Sequence, residues 1–319
     1  MKSLFISLVL FCLFPIFSFS QNYLWAEKIG GTNFDVVSDI DIDSANNSVV
    51  VGQFFISITF NSTTLTTNGS SDGFVAKLDS DGNPLWIIQI GGSSSDQVTG
   101  VKIDRSTGDI YVTGTYNASF TIGGTTLPYT SFGPDIFLIK ISSLGTVIWA
   151  KGFTGTSSDN AVDVVIDEAN GYVYSMGVGS DSLAIDTTML SVASGQFIFV
   201  AKYTTAGSFE WARQYDTPAT IASGFGSKRG GISIMSNNDI AITGNFRSSI
   251  GFDAINLTAS GSPFDYDGFI AKINSSGSVL WAESFGSATT DYSNGVAVDA
   301  FDNIWLTGIT GTASTFGSI

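Results

Sequence analysis

The chain has 319 residues, of which 28 are acidic, 13 basic and none histidine, giving a formal net charge of −15. That surplus of carboxylates repels nucleic acid and anionic lipid. The absence of imidazole excludes Ser–His–Asp and Cys–His catalysis and every His-ligated zinc or iron site. Six prolines, 36 glycines and only 13% charged residues, in a background rich in Ser, Thr, Val and Ile, point to a β protein with many tight turns.

Taken in chain order, residues 1–20 (MKSLFISLVLFCLFPIFSFS) carry one lysine, an apolar run from Leu4 to Phe14, and small residues at Ser18 and Ser20. This reads as a secretory signal peptide, too short and too abruptly ended for a spanning helix. The only cysteine, Cys12, lies inside it, behind a Phe11 too large for a lipoprotein attachment site. No later stretch is apolar enough to span a bilayer. Residues 21–319 are therefore expected to form an exported, soluble domain without thiol or disulfide, in which 12 basic side chains face 28 acidic ones.

Beyond the leader the chain is repetitive. Trp25, Trp86, Trp149, Trp211 and Trp281 stand 61, 63, 62 and 70 residues apart, a spacing typical of propeller blades or arrays. Twelve residues before the last four tryptophans comes Phe74, Phe137, Phe199 or Phe269; nine before comes Lys77, Lys140, Lys202 or Lys272. Four before comes Gly82, Gly145, Gly207 or Gly277. Ten after a tryptophan comes Asp35, Asp96, Asp159 or Asp291, and eighteen after comes Asp43, Asp104, Asp167 or Asp299. Only the unit after Trp211 lacks these two aspartates, because YDTPATIASGFGSKRGG lengthens its loop.

Within a unit, VVSDIDID, SVVVGQF, GFVAKLD and PLWIIQI read as four strands of one antiparallel meander. The glycine four before tryptophan supplies the positive φ of the last hairpin loop. A Ser/Thr/Gly-rich link, ISITFNSTTLTTNGSS, joins the second and third strands. A lone meander cannot bury both faces, and radial stacking solves this, with the aspartate-ended strand innermost, buried on both faces, and the tryptophan strand outermost. The expected architecture is an all-β propeller of four complete blades and a partial fifth. YLWAEKI, an outermost strand with no predecessor, is expected to dock on the last blade. Because Ile319 comes after the second strand of the fifth unit, the chain reads as a fragment of a larger ring; a five-bladed ring one strand short is the alternative.

The pattern F-x-A-K-x-x-x-x-G-x-x-x-W-A, then G-G, V-x-V-D and I-Y-V-T-G, resembles the bacterial SBBP repeat, named for a seven-bladed β-propeller, over residues 22–319. The resemblance implies a secreted or surface-exposed bacterial protein and carries over no catalytic residue.

The regular positions read as packing: tryptophans, phenylalanines and Trp305 as core, and the lysines as stems over apolar surface with ammonium groups reaching turn aspartates. Asp35, Asp96, Asp159 and Asp291 should face one mouth of the ring, capping loops or forming a rim that attracts calcium. Asp43, Asp104, Asp167 and Asp299 belong to turns on the opposite face. DIDIDSANN and LDSDGN lack the donors and closing glutamate of a calcium loop. Lys228 and Arg229, in the one long loop, are the candidates for partner contact. The expected function is a non-catalytic binding or scaffold module for an extracellular protein or glycan, with no nucleic acid, transmembrane segment or required cofactor. The alternatives are an extracellular polysaccharide-acting enzyme using Asp/Glu or calcium, and a structural repeat of a large adhesin.

Overall fold

A computed structural model describes residues 25–130, 132–216, 230–311 and 315–316. These build four complete antiparallel four-stranded blades and the first two strands of a fifth, with no helix among the described residues. Blade one comprises Val36–Ile42, Ser48–Phe54, Asp72–Leu78 and Pro84–Ile90. Blade two comprises Gln97–Ile103, Ile110–Tyr116, Asp135–Ile141 and Val147–Gly155. In blade three the strands are Asn160–Asp167, Tyr172–Ile185, Thr188–Thr204 and Phe209–Asp216. Blade four has Gly231–Ile234, Ile240–Phe246, Asp267–Ile273 and Val279–Gly286, and the fifth begins with Tyr292–Val298 and Ile304–Ile309.

Successive blades meet in chain order through their first strands. The DIDID stretch explains how: Val101 N–H donates to Asp39 Oδ2 at 3.0 Å and Ile103 N–H to Asp41 Oδ2 at 2.9 Å. Further along, Ile232 N–H donates to Asp163 Oδ2 at 3.5 Å and Val298 N–H to Ser233 Oγ at 3.2 Å. An inner strand uses polar side chains to satisfy backbone donors that its neighbour cannot pair within its own sheet. The expectation that inner strands are buried on both faces holds in blade three, where Asp163, Val164, Val165, Ile166 and Asp167 are all buried. It fails in blade one, where Val37, Ile40 and Ile42 are exposed; the second and third strands of blades one to four carry most of the buried core. Blade one ends the stack among the described residues, and only alternate side chains of its inner strand reach a neighbouring blade.

The Ser/Thr-rich link is a second hairpin in each complete blade. Ser57–Phe60 pairs with Thr63–Thr66, Phe120–Ile122 with Thr125–Leu127, and Ser249–Phe252 with Ile255–Thr258; in blade three it prolongs the middle strands. Its turn places Asn61, Gly123, Asp186 or Asp253 at φ of 52–55°, a conformation that Asn, Asp and Gly tolerate best. In blade three this hairpin leans on the preceding outer strand, Thr154 and Gly155 pairing with Ala184 and Leu183; the short strand Thr315–Phe316 pairs with the outer strand of blade four at Gly286 and Phe285.

The repeated residues form a latch between blades. Trp86, Trp149 and Trp211 donate their indole N–H to Ser143 O, Thr205 O and Ser275 O in the last turn of the following blade, at 3.2, 3.2 and 3.3 Å. Each ring covers the turn glycine two residues on, Gly145, Gly207 or Gly277, at φ of 82–88°. Trp25 does the same to Ser80 and Gly82, so it occupies on blade one the place of a preceding blade's tryptophan.

Three of the four lysines reach a turn aspartate as expected: Lys77–Asp43 at 3.2 Å, Lys140–Asp109 at 2.9 Å and Lys272–Asp239 at 2.8 Å. Lys202 departs, because Tyr172 stands where blades two and four place the aspartate, and its ring lies 3.6 Å from the ammonium. Burial depresses the Lys202 pKa, whereas at Lys140 the bonds to Asp109 and Tyr111 outweigh burial and raise it. Lys140→Met is expected to cost about 1.5 kcal/mol, since it strands Asp109 and removes a second donor from Thr205 O. Chemical denaturation of both proteins measures it; a change inside about 0.3 kcal/mol contradicts the latch.

Trp305 corrects an expectation: it is 63% exposed, and its indole donates to Asp299 rather than packing in a core. No blade covers that face among the described residues.

Candidate functional site

The antiparallel order gathers two kinds of connection at one mouth: the loops from outer strand to next inner strand, and the inserted hairpins. Asp35, Asp96, Asp159 and Asp291 lie there, as expected, and each clamps its loop. Asp35 accepts from Gly31 N at 2.7 Å and Phe55 N at 3.3 Å. Asp96 accepts from Gly92 N at 2.7 Å and Asn117 N at 3.0 Å. Asp159 accepts from Ser180 N at 2.8 Å, and Asp291 from Ser287 N at 2.7 Å and Gly311 N at 2.9 Å. The last three side chains are buried rather than displayed on a rim. Among the described residues no group of three or more Asp, Glu, Cys or His side chains is arranged to hold a metal. The opposite-face residues Asp43, Asp104, Asp167 and Asp299 cap their own turns, accepting backbone N–H from residues two to four positions on. Bonds from Asn303 and Trp305 hold the exposed Asp299 carboxyl down at about 2.

A second set of aspartates opens the third strands, two residues before the repeated phenylalanines. Asp72, Asp135 and Asp267 each meet the loop aspartate of the following blade. A methyl group on Gly91 would lie 2.7 Å from both Asp72 Oδ1 and Asp96 Oδ2. Gly155 donates its N–H to Asp135 Oδ1 at 3.0 Å, and a Cβ on it would run into Asp159 Oδ2. A Cβ on Gly286 would strike the Asp267 carboxyl, one residue before Ser287 donates to Asp291. Burial, together with the neighbouring Asp72 charge, pushes Asp96 up to about 6; burial and the Asp135 and Asp181 charges push Asp159 up to about 8. Asp72, Asp135 and Asp267 are raised as well, again chiefly by burial.

Beside these pairs, between blades one, two and three, a cleft of about 190 Å³ opens near the inner strands. It is walled by the amides of Gln53, Gln97, Asn117 and Asn160, with Thr115 and Pro134. Gln53 donates to Ser71 Oγ at 2.8 Å and Asn117 to Ser95 O, so both are held in place. Asn160 Nδ2 is buried without a partner in the protein. No charged side chain lines the cleft. Gln97 and Asn160 share one repeat position, eleven residues after a tryptophan, and Gln53 and Thr115 share another, just after the second-strand glycine. The residue type is not kept, since Val36 and Tyr292 stand at the first position and Val178 and Asn245 at the second. Lys228 and Arg229 lie outside the described residues, as do residues 1–24 with Cys12 and the expected leader.

No family model matches the chain. It is 23% identical, over 84% of its length, to an uncharacterized WD repeat-containing protein, L264, of Acanthamoeba polyphaga mimivirus. With the meanders stacked in chain order, that likeness decides the architecture. The fold is that of a β-propeller-like repeat protein. The propeller spans about a quarter of the mimivirus protein, the match covering 23% of it. No helix among its described residues is long and apolar enough to cross a membrane.

Proposed function

We propose that this propeller is an exported, non-catalytic binding module of the bacterial SBBP type that captures an extended segment of an extracellular protein at the amide-lined mouth. The observation that carries the reading is the cleft between blades one, two and three: four side-chain amides without a charge, one of them with an unpartnered N–H, suit the alternating donors and acceptors of a peptide main chain. The WD repeat likeness supports a protein-interaction role, and the apolar start of the chain supports export. The paired carboxylates of the mouth are buried in blade junctions and bonded to backbone, which favours a scaffold over a hydrolytic pair.

Binding of wild-type protein and of a Gln97→Ala/Asn160→Ala variant to arrays of unstructured peptides and of glycans tests this. Saturable peptide binding is expected, weakened about tenfold in the variant. Binding confined to glycans, or turnover of a polysaccharide, sinks the proposal.

A further inference from the structure

The paired aspartates recur with a regularity that loop capping alone does not require. Capping needs one carboxylate per loop; three junctions place two buried carboxyl groups near enough for one charge to act on the other. In each, one oxygen has no hydrogen-bond partner: Asp72 Oδ1 between blades one and two, Asp159 Oδ2 between two and three, Asp267 Oδ1 between four and five. All three residues have no exposed surface. The remaining oxygens are taken: Asp72 Oδ2 by Asn68 N at 2.9 Å and by Gln89, Asp135 by Gly155 N and Thr130 N, and Asp267 Oδ2 by Ser260 N at 2.7 Å.

The junction between blades three and four supplies the control. Its long loop lacks the aspartate ten residues after tryptophan, and the strand position two residues before Phe199 is Phe197. Where one carboxyl is missing, so is the other, and a fully buried phenylalanine takes the strand position. Two residues that are present together and absent together act as a pair.

We propose that each of the three junctions holds one proton shared between its two carboxyl groups, so that the blade contacts tighten in mild acid and loosen as the proton is withdrawn in alkali. The proton sits on the oxygen that lacks a partner and the O–H donates to the facing carboxylate, which removes the buried orphan and one of two like charges together. Asp96 and Asp135 face Tyr116, Asp159 faces Asp181, and Asp267 faces Asp265, while Arg247 is laid over Tyr266 at 3.8 Å. Burial and the paired charge raise the folded-state pKa values, to about 6 at Asp96 and about 8 at Asp159. A carboxyl whose pKa is higher folded than unfolded binds more protons in the folded state. Stability therefore falls as pH rises from about 4 to about 8, the reverse of the usual carboxylate behaviour.

Thermal melting of the full chain between pH 5 and pH 9 tests this, beside a triple variant Asp72→Asn/Asp159→Asn/Asp267→Asn. Each substitution puts an N–H at the oxygen that has no partner, replacing the shared proton permanently. Wild type is expected to melt roughly 5 °C or more lower at pH 9 than at pH 5, and the variant to lose most of that difference by melting higher at pH 9. Asp81→Asn, an exposed change of one charge, should leave the dependence in place. If the variant fails to fold, the infrared C=O band of a protonated carboxylic acid in wild type decides: present at neutral pH and lost above pH 9 is expected. A wild-type melting point indifferent to pH, or no such band at neutral pH, overturns the proposal. So does a melting point raised at pH 9 by millimolar calcium in wild type but not in the variant, which would put a cation between the carboxylates.

Discussion

Truncating Phe199 to alanine is expected to destabilise the propeller by about 3–5 kcal/mol, read as a lowered denaturant midpoint at unchanged slope. Phe199 has no exposed surface. Across its own blade it lies on Gly177, whose missing side chain makes room for the ring. From the preceding blade, Phe153 meets it edge-on at 6.0 Å. Two hydrogen-bonded sheets hold the walls of this site, so the space left by a benzyl group cannot collapse and the cavity cost adds to the lost burial. A loss under about 1 kcal/mol would place the ring outside the core.

Gly114→Ala should cost about 3 kcal/mol or more, although it only adds a methyl group. A Cβ on Gly114 would run into Gln97 O of the adjacent inner strand and press on the Phe137 ring. The inner strand is bulged beside it, between Val98 and Gly100, and the same irregularity stands beside Gly52, Gly177 and Gly308. The bulge brings a backbone carbonyl against the glycine, and neither can move without unpairing the ladder. Gly124→Ala is the contrast: nothing lies within 4 Å of its Cβ, and only its φ of 77° opposes the change, for about 1 kcal/mol. Equal losses in the two variants would contradict the close approach.

The latch was legible in the sequence because it repeats at fixed offsets: tryptophan and turn glycine do the same work at each junction from blade one to blade four, and three of the four lysines reach a turn aspartate. The inserted hairpin was not, since its strands are three or four residues long in most blades and their Ser/Thr composition reads as a linker. A signal was present all the same, in the Asn, Gly or Asp followed by alternating residues and Leu in FNSTTL, IGGTTL, IDTTML and FDAINL. Asp72, Asp135 and Asp267 share an offset as regular as that of the loop aspartates, but their meaning depends on a contact with the next blade. The destinations of Asp39 and Asp41, 62 residues away on the neighbouring inner strand, are likewise a property of stacking. Trp305 misleads for the same reason: its strand is apolar, and only the arrangement of blades reveals that its face is open. The cleft draws amides from three blades; Gln97 and Asn160 share an offset, each following a loop aspartate, but the other units place Val36 and Tyr292 there, so the position reads as variable until the blades are stacked.

That adjacent blades bury each other's faces is the claim on which the rest depends. A double-mutant cycle between Phe153, on the outer strand of blade two, and Tyr203, on the third strand of blade three, measures it directly, because their rings stack at 6.0 Å with planes 4° apart. Blades packed in this way predict that Phe153→Ala and Tyr203→Ala couple by about 1 kcal/mol or more. Effects that add within about 0.3 kcal/mol would mean that the two rings do not meet, and the stacked architecture would fall with them.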